Sequence, residues 1–151
     1  MAIGFEVLQT PTNANFNVAV GHQSLKSVTS GTLNSAMGSQ ALFSLQTGTR
    51  HVAIGQCAMY SQTGGFDNIA IGFKAPSSVT TEHSNVAIGS CALLTTTGYG
   101  SVGIGRFALM NSTGSQNVAI GAEAGCCMTS HIRSVIIGAY AGKNIQANSS
   151  T

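Results

Sequence analysis

Residues 85–98 read NVAIGSCALLTTTG, and residues 51–64 read HVAIGQCAMYSQTG. One phrase is written twice with small changes, so the period of the repetition decides the fold. With the glycine that closes the VAIG phrase as origin, the copies are anchored by Gly4, Gly21, Gly38, Gly55, Gly72, Gly89, Gly105, Gly121 and Gly138. Neighbouring anchors are 17 or 16 residues apart, and no part of the 151-residue chain lies outside this ruler.

The columns around the anchor have distinct characters. The residue before it is apolar in every copy, for example Val20, Ile54, Ile71, Ile88, Ile104, Ile120 and Ile137. Two places earlier stand Val18, Val52, Ile69, Val86, Val102, Val118 and Val135, with Ser35 as the exception. The position between them is small, mostly alanine. Alternation with period two in β-branched residues predicts a strand. The bulky members, Val18, Val20, Val52, Ile54, Ile69, Ile71, Val86, Ile88, Val102, Ile104, Val118, Ile120, Val135 and Ile137, are expected to form an inward ladder. An aspartate at Ile88 would then disrupt neighbouring turns. The small column between them is expected to face outward, where it would let another backbone approach and favour lateral association.

After the glycine bend a second wall begins, at Ser24-Leu25, Ala41-Leu42, Ala58-Met59, Ala92-Leu93 and Ala108-Leu109. Farther along, SVT at 27, SLQ at 44, SQT at 61, SVT at 78, TTT at 95, NST at 111, CMT at 127 and NIQ at 144 predict a third, largely solvated short strand. A second glycine usually follows, as at Gly31, Gly48, Gly64, Gly98 and Gly114, suited to a corner.

A unit this short, with two glycine corners and Ser/Thr runs, does not sustain the stripe of an amphipathic helix. The expected fold is all-β: a parallel β-solenoid (β-roll or β-helix) of about nine 16–17-residue turns, forming a single repeat domain over residues 1–151 or a module of a longer fibre. Stacking at about 4.8 Å per turn gives a rod roughly 38 Å long with a core one side chain wide, which leaves little room for an enclosed cofactor. The 16-residue copies, after Gly89 and Gly105, lose their residue beyond the second glycine, so the strand register is expected to survive. The starting phrase MAIG and the closing NIQANSST both read as edges able to stack.

Composition narrows the function. Charged residues make up 7%, against about 25% in typical soluble proteins, and the formal net charge is +2. Six scattered bases and no Trp argue against a nucleic-acid groove. The hydrophobic content of 43% is too high for a disordered linker. No apolar run approaches the roughly 18 to 20 residues of a spanning helix, so membrane insertion is not expected.

The chemistry-bearing residues are dispersed. Glu6, Asp67, Glu82 and Glu123 form no acid–base pair, no serine sits in a G-x-S-x-G setting, and the glycines mark turns instead of a phosphate loop. No catalysis and no cofactor is expected. His22, His51, His83 and His131 fall at four different offsets and read as surface or corner residues. Cys57 and Cys91 share a column but lie two turns apart, roughly 9.6 Å, beyond disulfide reach. The adjacent Cys126 and Cys127 are expected to point to opposite faces of a strand, and no metal-binding spacing follows them. The rival functional feature is the S-x-T series at 27–29, 61–63 and 78–80, with TTT at 95–97, which reads alternatively as an ice-binding face.

The phrases NIAIG, NVAIG and NVAIG opening at Asn68, Asn85 and Asn117, followed by Ala-Leu or Ala-small pairs and Thr-Gly corners, resemble repeats of phage tail-fibre and virion-fibre proteins. They are also similar to the head repeats of trimeric autotransporter adhesins, whose period is shorter. Ser35, Gly103, Ile136 and Pro76 depart from the column identities. The resemblance implies a homotrimeric surface fibre, on a virion or otherwise extracellular, with attachment to a host-surface receptor as its broad role and neighbouring fibre modules stacked end to end as further partners.

Overall fold

The computed structural model describes residues 1–77, 80–143 and 145. Each copy supplies one short strand: β1 (Ala2–Ile3), β2 (Val18–Val20), β3 (Ser35–Met37), β4 (Val52–Ile54), β5 (Ile69–Ile71), β6 (Val86–Ile88), β7 (Val102–Ile104), β8 (Val118–Ile120) and β9 (Val135–Ile137). All nine form one parallel sheet in chain order, the parallel β-solenoid that the period predicts. A coil below carries the number of the strand that opens it.

The pairing is one repeat out of step at every interface, as in Val52 with Ile69, Ala53 with Ala70 and Ile54 with Ile71. It passes unchanged through the shorter copies, where Val86 meets Val102 and Val102 meets Val118. The lost residue is absorbed at a corner, because a slip within the strand would turn every side chain to the wrong face.

Hydrogen bonds between coils continue past the strands. The Leu42 N–H donates to the Ala58 carbonyl at 2.9 Å, Leu93 to Ala108 at 2.9 Å, and Gln46 to Thr63 at 2.9 Å. The Ser/Thr segment expected as a third strand is instead a turn-like wall, and its middle residue points inward: Val28, Leu45, Gln62, Thr96, Ser112 and Met128 are buried. The copies at 78–80 and 144–146 lie partly outside the described residues.

The strand ladder faces the opposite way from the sequence expectation. Ala19, Ala36, Ala53, Ala70, Ala87 and Ala119 are fully buried, together with Leu25, Leu42, Met59, Leu93 and Leu109 of the second wall. Val18, Val20, Val52, Val86, Ile88, Val102, Ile104 and Val118 are only half-buried, and Ile54, Ile69, Ile71, Ile120, Val135 and Ile137 are exposed. The bulky residues therefore line the outside and the alanines the inside. The lumen is one layer deep, and the long side chains of the second wall already fill it, so only a methyl fits opposite them.

Two compensations show how tightly that layer is filled. Where the second wall has Gly125 and Gly142 in place of leucine, the strand carries Ile136 in place of alanine. The Ile136 Cδ1 lies 3.3 Å and 2.9 Å from where a Cβ on Gly125 and on Gly142 would stand. Conversely, a Cβ on Gly103 would lie 3.1 Å from Leu93 Cγ.

The anchor glycine is dictated by its neighbour. At Gly89 φ is 132°, and a Cβ would stand 2.6 Å from the carbonyl carbon of Gly105 in the next coil. The backbones touch there, and the same close approach recurs at each anchor from Gly4 to Gly121, so no side chain fits at those corners. Up to three other positions per coil take φ near +55° with ordinary side chains, as Gln40, Leu42 at 51° and Arg50 do in one coil and Leu93 at 53° does in another. Full burial of those leucines offsets the cost of the left-handed conformation.

Candidate functional site

Turning the bulky column outward leaves a long apolar face. Two parallel rows run down it, one of Val18, Val52, Ile69, Val86, Val102, Val118 and Val135, the other of Val20, Met37, Ile54, Ile71, Ile88, Ile104, Ile120 and Ile137. Ile54 is 38% exposed and Ile71 37%, rising to 69% at Ile137. No charged residue lies within strands β1–β9. The two rows together make one long exposed apolar strip on a narrow rod.

The interior behind this face is pinned by a polar column one position before each strand. Asn17, Asn34, Asn68, Asn85 and Asn117 are buried, and each amide nitrogen donates to a carbonyl of the coil that follows it, as Asn34 to Gly48 at 2.8 Å and Asn117 to His131 at 2.7 Å. Each amide oxygen accepts the N–H of the residue at the same position one coil on, as Asn34 from His51 and Asn68 from Asn85, both at 2.9 Å. Each asparagine copy thereby satisfies a corner carbonyl and fixes the register of the coil after it.

His51 takes the asparagine's place in coil 3 and is fully buried, which corrects its reading as a surface or corner residue. Its Nε2 donates to the Gly64 carbonyl at 3.3 Å, and its Nδ1 accepts the Asn68 N–H at 3.3 Å. Burial lowers its pKa to about 4, against a weaker opposing pull from the Gly64 carbonyl. The histidine is therefore neutral, in the tautomer the ladder requires. Its shared offset with the asparagines was the signal available in the sequence.

Ion pairs run along the rod, from one coil to the next. Lys26 meets Glu6 at 2.7 Å, the Arg50 guanidinium holds Asp67 with Nη2 to Oδ2 at 2.8 Å, and Glu123 is shared by Arg106 at 3.2 Å and Lys143 at 2.6 Å. Hydrogen bonds from Lys26, Arg50 and Lys143 hold the respective carboxyls below their usual range. Exposed rings stack in the same direction: Phe66 on His83 with centroids 4.6 Å apart, and His83 on Tyr99 at 5.3 Å.

Cys57 and Cys91 are free thiols two coils apart in one column. Cys126 and Cys127 do not point to opposite faces, because they sit in a turn and their sulfurs approach to 3.2 Å. Burial, reinforced by the neighbouring thiol, pushes Cys126 up to about 11. Among the described residues no three of His, Cys, Asp and Glu gather as a metal site. Among the described residues no helix is long and apolar enough to cross a membrane.

Thr hydroxyls of the S-x-T series are engaged within the rod: Thr29 donates to the Gln46 carbonyl at 3.1 Å, Thr63 to the Thr80 carbonyl at 3.2 Å and Thr95 to the Met110 carbonyl at 2.9 Å. Each of these three bonds runs to a carbonyl of the neighbouring coil. Compared with known protein families, curated proteins and solved structures, the chain matches none.

Proposed function

We propose that this chain is a non-enzymatic structural or attachment module of a virion or extracellular surface fibre, in which three copies pack side by side through the outward Val/Ile rows. The observation that carries this reading is the apolar face itself. A solenoid of this width has no second core of its own to cover those rows, and a parallel copy presents the same rows at the same spacing. Stacking backbone hydrogen bonds make the rod stiff along its axis, so the module works by rigid, multivalent display. The number three follows the likeness to fibre repeats.

Native mass in solution tests the proposal. The expected species is about 46 kDa, three times the 15.3 kDa chain. A chain that stays at 15.3 kDa at micromolar concentration removes the fibre assembly.

A further inference from the structure

One column on the rod is broken in a way that makes a site. At the fifth position after the anchor glycine, successive coils carry Lys26, Phe43, Tyr60, Ser77, Leu94 and Met110. The Phe43 and Tyr60 rings stack with centroids 5.0 Å apart and planes 5° from parallel, and the Lys26 ammonium stands 5.7 Å from the Phe43 centroid. The stack then stops, because Ser77 replaces the next large side chain. Phe43 covers one face of Tyr60, and the other face looks along the axis into the space above Ser77. The next large residue of the column, Leu94, is two coils on, roughly 9.6 Å from the tyrosine. The result is a notch of about 350 Å³ lined by Gln40, Cys57, Tyr60, Ser61, Lys74 and Ser77.

The chemistry of the lining is specific. The Gln40 amide donates to Gln23 at 3.0 Å, and its oxygen accepts the Cys57 thiol at 3.6 Å, so that wall is already satisfied. The hydroxyls of Tyr60, Ser61 and Ser77 have no protein partner among the described residues. Lys74 is exposed, its ammonium 5.2 Å from the Phe73 ring centroid. Every side-chain carboxylate of the chain is engaged elsewhere: Glu6 by Lys26, Asp67 by Arg50, Glu123 by Arg106 and Lys143, and Glu82 by the Thr80 and Thr81 N–H groups. An open aromatic face, three hydroxyls and one uncompensated ammonium meet in a gap of ring thickness.

We propose that this notch binds one pyranose ring bearing a carboxylate, with the C–H face of the sugar on Tyr60, its carboxylate on Lys74 and its hydroxyls shared with Ser61 and Ser77. A ring placed at van der Waals distance, roughly 4 Å from the tyrosine, fills the gap left by Ser77. The ammonium–carboxylate bond supplies the charge selectivity. Single-site affinity is expected at about millimolar, a range in which side-by-side copies gain by multivalency. The site names the receptor class for the attachment reading and rests on that reading for its setting.

Saturation-transfer NMR on the native protein tests this with glucuronate, N-acetylneuraminate, glucose and acetate as separate probes. Transfer to one or both sugar acids is expected, with glucose and acetate at least about tenfold weaker. Lys74→Gln should reduce the sugar acid to the level of glucose, and Ser77→Tyr, which continues the ring stack, should abolish binding of both. Melting curves confirm that each variant is folded, and the exposed Lys74 keeps the test valid if Ser77→Tyr is not. Absence of transfer to both sugar acids, equal binding by glucose or acetate, or sugar-acid binding unchanged in Lys74→Gln overturns the site. Native mass measured on the same samples separates the two proposals. A trimer that ignores sugar acids sinks only the notch, and a monomer that binds them sinks only the fibre.

Discussion

His51 is the residue with the most at stake in the coil interior. Its ring must stay neutral to accept the Asn68 N–H, and the groups facing it are the Gly64 and Gly65 carbonyls, with the Asp67 and Arg50 charges nearby. Its folded pKa of about 4 lies below the ordinary 6.5, so the unfolded chain takes up the proton first. The contribution is fully present above pH 6.5 and is lost as pH falls towards 4, by on the order of 3 kcal/mol in total. The salt-bridged carboxylates also have lowered values, and their losses fall below about pH 4.5, so the window from 6.5 to 4.5 belongs to the histidine. His51→Asn restores the ladder's usual residue, and denaturant midpoints measured across that window should become nearly flat. A slope equal to wild type would show that the ring does not titrate as placed.

At the scale of the strand, the decisive fact is which side of each three-residue ladder points inward. Ala87 is fully buried while Ile88 beside it is only half-buried. Ala87→Asp forces a carboxylate into a lumen filled by leucine, a cost of several kcal/mol that should abolish cooperative folding. Ile88→Asp should change the melting of an isolated chain by less than about 1 kcal/mol while lowering the native mass, because the substitution lies on the outer face. Circular dichroism and native mass on the pair of variants distinguish the two faces. If Ile88→Asp unfolds the chain and Ala87→Asp does not, the assignment is inverted. The strands themselves were legible because valine, alanine and isoleucine alternate in copy after copy. Their orientation was not, since both faces of the strand are apolar and alternation alone says only that they differ. Size was the misleading cue: the bulky column looked like the core until Leu42, Met59, Leu93 and Leu109 were seen to occupy the lumen from the other wall.

At the scale of the whole molecule, each strand packs only on the one before and the one after it. Stability should then be close to a sum of coil terms and nearest-neighbour interfaces. Deleting residues 52–68, one complete repeat from Val52 to Asn68, joins His51 to Ile69 in the native register. The shortened chain is expected to keep a solenoid circular-dichroism spectrum and a cooperative transition, with a denaturant m-value lower by about a ninth. Loss of the folded state would mean that long-range order, beyond the neighbouring coil, sustains the rod. The same one-dimensional logic explains how Ser77 can open a notch without weakening the fold: the gap interrupts a surface column and leaves the inner ladders intact.

The amino-acid sequence by itself determined the period, the strand in each copy, the glycine corners and the parallel stacking, because a repeat of 16 or 17 residues with Gly at a fixed place has few ways to bury itself. Cys126 and Cys127 show the limit of reading a local pattern, since a turn brings together two sulfurs that a strand would have separated. The tertiary structure alone decided what faces what: alanine inside and isoleucine outside, His51 within the asparagine column, and Tyr60 bare on one side. Each of these depends on the volume left by residues a whole wall or a whole coil away, which no local pattern encodes.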